Sequence, residues 1–511
     1  MSKLTLNKIF SDGLVLQRGK AVKIFGEYEP SHIITVTITD CKGRTISSSR
    51  TKSDESGYFI CTHEPLRVAT GLTIQIVSDE GEKHIIHDVS VGDVYMACGQ
   101  SNMEFFLKYD KDWEQTKNLP KNNLIHMFNV PQVAYEGQDK KTPGYGYWMV
   151  DGDNGYENFS APGYSFARNI VDKLNIPIAI VGCNWGGSTA SAWVNKEVLD
   201  TPTLRYYLDE YQAELDKWDS EELKKESLSA WEFEISPKHG QDFEPLLYGR
   251  DREWQLQYMK EHAGEPVIPM GPYNLNRPCG LFHHMLEPLI PMSICGVLWY
   301  QGESDAGYRA STYDSLLSGL INSWRKLWGI DFPFYIVQLA PFGKWLECGN
   351  EEYTIVREKQ QLVAATLPDV YMCSIMDLGS YYDIHPKQKM EVGRRLSLLA
   401  RHYYYGEDSL PCEAPKPTVA IRQDSNIIRI AFDYADELII DEKIGDLKIY
   451  SGDTLLNYDS VTPVKNVLII TLTDNINSDN ITVSYGYEDF SEIFIHNEAG
   501  LAIRPFRITN I

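Results

Sequence analysis

Between about residues 91 and 410, short runs of unbroken apolar residues alternate with longer stretches whose apolar positions recur at helical spacing. DVYMAC, IHMFNV, PIAIVGC, ICGVLWY, PFYIVQL and VYMCSIM are the apolar runs. Runs without a polar face suit strands of a parallel sheet that is covered on both sides. Between them, GYSFARNIVDKLN, STYDSLLSGLINSWRKLW and EEYTIVREKQQLVAATL read as amphipathic helices. Strand and helix in alternation predict an α/β, doubly wound domain over residues 91–410.

The flanks follow a different rhythm. VKIFGEY, IITVTITD, GYFICTH and LTIQIVSD are short β-rich runs separated by Gly, Ser and Asp. They predict a small sandwich-like β region over residues 1–90. Behind the linker PCEAPKP, the runs NIIRIAFD, LKIYS, NVLIITL and ITVSYGY predict a second β region over residues 411–511. Residues 200–272 interrupt the α/β alternation with the charged, aromatic stretch LRYYLDEYQAELDKWDSEELKKESLSAWEFEI. This reads as a helical insertion, either a lid or substrate wall or a solvated decoration.

Charge narrows the partners. The formal net charge of the 511 residues is -23, which argues against nucleic acid or an anionic membrane surface. No apolar run approaches the length of a membrane-spanning helix. MSKLTLNKIFSDG lacks the apolar core of a signal peptide, so the sequence as it stands reads as cytoplasmic, or as periplasmic or secreted had a leader been removed. The nine cysteines show no C-x-x-C pair and no zinc-site spacing. Cys98, Cys183, Cys295 and Cys373 lie in apolar runs, where a thiol behaves as a small hydrophobe. No metal, organic cofactor or disulfide framework is expected, and the oligomeric state is not legible.

The chemistry concentrates where apolar strands end. Gly99-Gln100-Ser101-Asn102-Met103-Glu104 follows the first run directly. A serine there, opening a helix, sees unpaired backbone N–H groups that suit a developing oxyanion, although an N-cap serine would look the same. Cys183-Asn184-Trp185-Gly186-Gly187-Ser188-Thr189 ends another run, and its paired glycines permit close backbone approach. Trp299-Tyr300-Gln301-Gly302-Glu303-Ser304-Asp305 ends a third, where the Gln301 amide is a candidate donor. Asp383-Ile384-His385-Pro386 follows the last run and precedes a helix, so His385 can reach a serine on a neighbouring strand end. In open α/β sheets ligands bind beyond the carboxyl ends of the strands, the place these four sites share.

GQSNM, NWGGST, LWYQGESD and DIHP, in that order, resemble the sialate O-acetylesterases and related carbohydrate acetylesterases of the SGNH-hydrolase superfamily. The likeness extends to IFSDGLVLQRGKAVKIFG and to PCGLFHHMLEPLIPMSICGVLWYQGESDA, and thins across 200–270 and after about 411. The resemblance implies an SGNH-hydrolase, flavodoxin-like, three-layer parallel sheet with all-β regions at both termini. It implies Ser101 as nucleophile and His385 as general base. The N–H groups of Ser101 and Gly187, with the Gln301 amide, would form the oxyanion hole. The superfamily's acid commonly stands three residues before the histidine, where this sequence has Tyr382. Asp383 is the expected acid, with Asp377 as the alternative, and Ser-His chemistry without a third member stays open.

The activity so implied is hydrolysis of O-acetyl esters on carbohydrate through an acetyl-serine, with O-acetylated sialic acid as the leading substrate. Acetylated xylan or another polysaccharide is the rival, and an inactive carbohydrate-binding protein the alternative of a different class. A sialate carboxylate would call for an arginine in the pocket, for which Arg168, Arg277, Arg309 and Arg394 are candidates.

Overall fold

A computed structural model of the chain describes residues 4–138, 144–235, 251–349, 351–476 and 480–511. Six parallel strands form its centre: β1 (Lys83–Gly99), β2 (Ile125–Asn129), β3 (Ile178–Asn184), β4 (Gly296–Tyr300), β5 (Phe334–Val337) and β6 (Val370–Cys373). They lie in the order β2-β3-β1-β4-β5-β6, and Trp148–Val150 adds an antiparallel strand outside β2. The chain thus moves from β1 to one side and returns across it to β4. That reversal opens a crevice beyond the carboxyl end of β1.

Side-chain parity shows why the strands are apolar throughout. Tyr95 packs edge-on against Phe166 of the helix α1 (Ala161–Leu174), whereas Trp299, in register with Cys98, packs against Trp324 of α2 (Tyr313–Trp328). Residues 95 and 98 have opposite parity, so these helices cover opposite faces. The helix α3 (Tyr353–Thr366) packs beside α2, and α4 (Lys389–Tyr403) beside α1. Every residue of β3 is buried. Local signals set the helix ends. Ser160 caps α1 by accepting from the Gly163 N–H, and Asn175 ends it in a left-handed conformation.

At the amino-terminal side, strands Thr45–Lys52, Ile33–Thr39 and Ala69–Ser78 continue the sheet from the first half of β1. A separate sheet of Thr5–Leu6, Val22–Glu27 and Tyr58–His63 accompanies them. Ile34, Val36 and Ile38 are fully buried between half-exposed threonines, the alternation of a sheet with one face on a core. β1 runs unbroken across residue 90, and the apolar residues on both sides share one core. The carboxyl-terminal strands, from Lys416–Asp424 to Phe506–Thr509, instead build a core of their own that takes in Met376.

The insertion comprises helices Tyr206–Leu215, Ser220–Glu234 and Arg252–Glu261, and residues 236–250 of it lie outside the described residues. Among the described residues, no helix is long and apolar enough to cross a membrane.

Candidate active site

Three strand ends are level. Gly99 of β1 stands opposite Asn184 of β3 and Tyr300 of β4. The Trp185 N–H donates to the Gly99 carbonyl and the Gln100 N–H to the Tyr300 carbonyl. A Cβ on Gly99 would lie 2.1 Å from that Tyr300 oxygen, and its φ is +138°. Only glycine lets the two strand ends close this tightly. The next turn of chain therefore puts Ser101 between the glycine pair of β3 and the loop after β4. Ser101 opens the short helix Ser101–Glu104, and a Cβ on Gly186 would stand 3.4 Å from the Ser101 Cβ.

His385 comes from the loop between β6 and α4, and its Nε2 lies 3.0 Å from the Ser101 Oγ. The ring is buried, edge-on to Trp345 at 5.0 Å. Burial first, then the charges of Lys387 and Lys389, hold its pKa well below the ordinary 6.5. A neutral imidazole with Nε2 facing a serine hydroxyl is the protonation state a general base needs.

The expected acid sits differently from a hydrogen-bonded triad member. Asp383 Oδ1 accepts from the backbone N–H of His385 at 2.9 Å and stands 3.7 Å from His385 Nδ1. Its other oxygen pairs with Lys387 at 2.8 Å. Nδ1 is buried without a hydrogen-bond partner among the described residues. Asp377 points elsewhere, into a bidentate pair with Arg395 at 2.7 and 2.6 Å.

The two loops expected to supply donors diverge. Gly187 has φ +73° and open space where a Cβ would stand, so backbone conformation accounts for the glycine. Among the described residues, neither its N–H nor that of Ser101 has a protein acceptor. Glu104 holds this turn by accepting from the Gly186 N–H at 2.6 Å, and Asn276 grips it through the Gly187 carbonyl and the Thr189 N–H. Gln301, expected as a third donor, is placed otherwise. Its amide donates to the Ser188 carbonyl at 3.2 Å and to Asp305 at 2.6 Å, and its oxygen accepts from Tyr313. Both amide hydrogens are spent, so in this geometry Gln301 braces the loops.

A buried polar group not singled out from sequence completes the floor. Asn102 donates to Glu303 at 2.5 Å and to the Ile384 carbonyl at 3.0 Å, and it accepts from Lys389 at 2.5 Å. It thereby ties the serine helix to the histidine loop. Lys389 is fully buried, and burial pulls its pKa down to about 7. The position of Asn102 beside the serine was a signal. A lysine at the start of an amphipathic helix was none, since it reads as solvent-facing.

The insertion forms part of the surround. Its Trp231 ring lies 6.0 Å from Trp185 of the glycine loop, and its Gln255 donates to the Tyr382 carbonyl beside the histidine loop.

Residues 281–401 match the family model described as carbohydrate esterase, sialic acid-specific acetylesterase. That segment holds His385, Asp383 and Gln301, while Ser101 and Gly187 lie before it. The class to which this segment is similar is that of the carbohydrate esterases, and within it the sialic acid-specific acetylesterases. The sialate O-acetylesterase of Mus musculus is 26% identical over 435 residues, covering 78% of this chain and 73% of that protein. The Homo sapiens sialate O-acetylesterase is 23% identical, with 80% and 72% covered. Among solved structures, a carbohydrate acetylesterase from Xanthomonas citri superposes with TM-score 0.73 at 24% identity, covering 99% of both chains. This last likeness shows the shared fold.

Proposed function

We propose that the chain is a serine esterase that removes O-acetyl groups from carbohydrate, with O-acetylated sialic acid as substrate. The observation that carries this reading is the 3.0 Å contact between Ser101 Oγ and His385 Nε2, beside a glycine turn with unspent N–H groups. Ser101 Oγ attacks the acetyl carbonyl carbon while His385 Nε2 takes its proton. The N–H groups of Ser101 and Gly187 hold the resulting oxyanion. Collapse breaks the bond to the sugar oxygen, which leaves with the proton from Nε2. Water then attacks the acetyl carbonyl of the acetyl-serine, giving up a proton to His385 Nε2; collapse breaks the bond to Ser101 Oγ, which takes that proton back as acetate departs. Asp383 supports His385 through the loop backbone and through its charge at 3.7 Å.

The sialate preference rests on one arginine. Arg168 pairs with Asp151, Arg309 with Glu210 and Arg394 with Glu391. Arg277 follows Asn276, the residue that grips the Gly187 turn. Its guanidinium reaches the Ala134 carbonyl at 3.4 Å and, among the described residues, meets no carboxylate. A cation placed there and left unneutralised fits the carboxylate of a sialic acid.

Acetate release from O-acetylated sialic acid and from acetylated xylo-oligosaccharides, side by side, tests this. Ser101→Ala should lower release by a factor on the order of 10⁴ or more while the fold stays intact. Arg277→Gln should raise KM for the sialic acid and leave any xylo-oligosaccharide hydrolysis unchanged. Release from the xylo-oligosaccharides alone would keep the chemistry and discard the sialate. Full activity in the Ser101 variant would discard both.

A further inference from the structure

A second feature with the makings of a sugar site lies far from Ser101. At the amino end of the edge strand β6, where the α/β core meets the carboxyl-terminal β region, a cleft of about 230 Å³ opens. Tyr371, Tyr403, Glu413, Lys416, Tyr434 and Arg504 line it. Tyr403 stacks on Tyr371 at 3.8 Å, with planes 12° apart, and keeps 38% of its surface exposed. Tyr434 is half exposed although it holds φ +63°, a conformation that is costly for a bulky side chain. Asn497, fully buried, secures it by donating to the Tyr434 carbonyl at 2.9 Å. The Arg504 guanidinium lies 5.8 Å over the Tyr434 ring and pairs with Glu413. Its side chain is 9% exposed, yet Nε has no hydrogen-bond partner among the described residues.

We propose that this cleft binds a neutral pyranose unit of a glycan chain, independently of the catalytic crevice. A pyranose has one apolar C–H face, which suits the open tyrosine rings, and an equatorial rim of hydroxyls. Each hydroxyl both donates and accepts. The cleft answers with Arg504 and Lys416 as donors and Glu413 and Asp369 as acceptors. Those two cations and two anions cancel, so the cleft offers no excess charge for an anionic sugar. The half-exposed Tyr434, held at positive φ beside the open Tyr403 ring, marks a place where something other than the fold's own packing is accommodated. The cleft opens at the amino end of β6, opposite the end that carries Ser101. A chain held there leaves the catalytic mouth free.

Calorimetric titration of the full chain with xylohexaose, cellohexaose and sialyllactose tests the site without relying on hydrolysis. At least one neutral hexaose should bind saturably. Tyr434→Gly removes the ring and relieves the backbone, and should weaken that binding about tenfold or more. Lys416→Ala, at an exposed position, should weaken it less. Ser101→Ala should bind as wild type does. If Tyr434→Gly unfolds, Tyr403→Ser at the open end of the stack serves the same reading. The proposal is overturned if neither hexaose saturates below about 10 mM. It also fails if the ring variants bind as wild type does, or if sialyllactose binds as well as the hexaoses.

Discussion

The loops that leave β3 and β4 begin level with each other on either side of Ser101, and they do opposite things. The β3 loop turns through Gly186 and Gly187, is held from outside by Glu104 and Asn276, and keeps the Gly187 N–H unspent. The β4 loop turns its polar groups inward. Gln301 binds Ser188 and Asp305, Asp305 accepts from the Ala190 N–H, and Glu303 accepts from Asn102. The first leaves an N–H free to donate to a ligand. The second uses its donors to hold the first in place. A strand-end position confers access to chemistry, and the direction in which hydrogen bonds are already spent decides whether that access is used.

Four substitutions sharpen this contrast. Gly187→Ala strains a backbone at φ +73° and moves the N–H, so kcat should fall about 10²-fold with little change in KM. Steady-state kinetics on a small acetyl ester would check it, and an unchanged kcat would remove Gly187 from the oxyanion site. Gln301→Leu should act on stability. Leaving Asp305 and the Ser188 carbonyl short of a donor in a buried place should cost on the order of 2–3 kcal/mol. Denaturant unfolding reads that loss, and kcat per folded molecule should stay within about tenfold of wild type. A collapse of kcat without a loss of stability would return Gln301 to the oxyanion hole.

Asp383→Asn should lower kcat by about tenfold, well short of what a hydrogen-bonded triad acid contributes, because the carboxylate is 3.7 Å from Nδ1 and shared with Lys387. A loss near 10⁴ would show that the contact tightens when substrate binds. The smallest effect is expected from Lys389→Met, through pH. As the proposed base His385 must be neutral, so kcat/KM should fall as pH drops through its pKa, which burial and then the two lysines hold below 6.5. Lys389, with a pKa of about 7, is charged in that range. Removing its charge should raise the His385 pKa and shift the acid limb toward 6.5. A limb that stays put, or moves down, would remove Lys389 from the electrostatics of the base.

Much of the fold was legible because its causes are local. The six apolar runs from DVYMAC to VYMCSIM are the six parallel strands, and GYSFARNIVDKLN, STYDSLLSGLINSWRKLW and EEYTIVREKQQLVAATL lie on helices α1, α2 and α3. Continuous apolarity and helical periodicity are written in consecutive residues, so a single chain displays them. Strand order was not legible, nor was the way β1 carries the front β region into the core, because pairing partners are distant in sequence.

The same division runs through the site. GQSNM, NWGGST and DIHP put Ser101, Gly187 and His385 at strand ends as a local pattern, and the family resemblance supplied the roles expected of them. Tertiary structure alone brought Nε2 to 3.0 Å from Oγ, turned the Gln301 amide toward Asp305, and gave Asp377 to Arg395. It also buried Lys389 against Asn102, and left Arg277 the one candidate arginine without a carboxylate among the described residues. The sequence determined which groups were offered at each strand end, because local backbone chemistry sets that. Where Glu104 meets Gly186 and Asn102 meets Glu303, the partner that took the hydrogen bond stands more than 80 residues away in the chain. A buried donor has a fixed number of bonds to give, and only the folded arrangement says where they go.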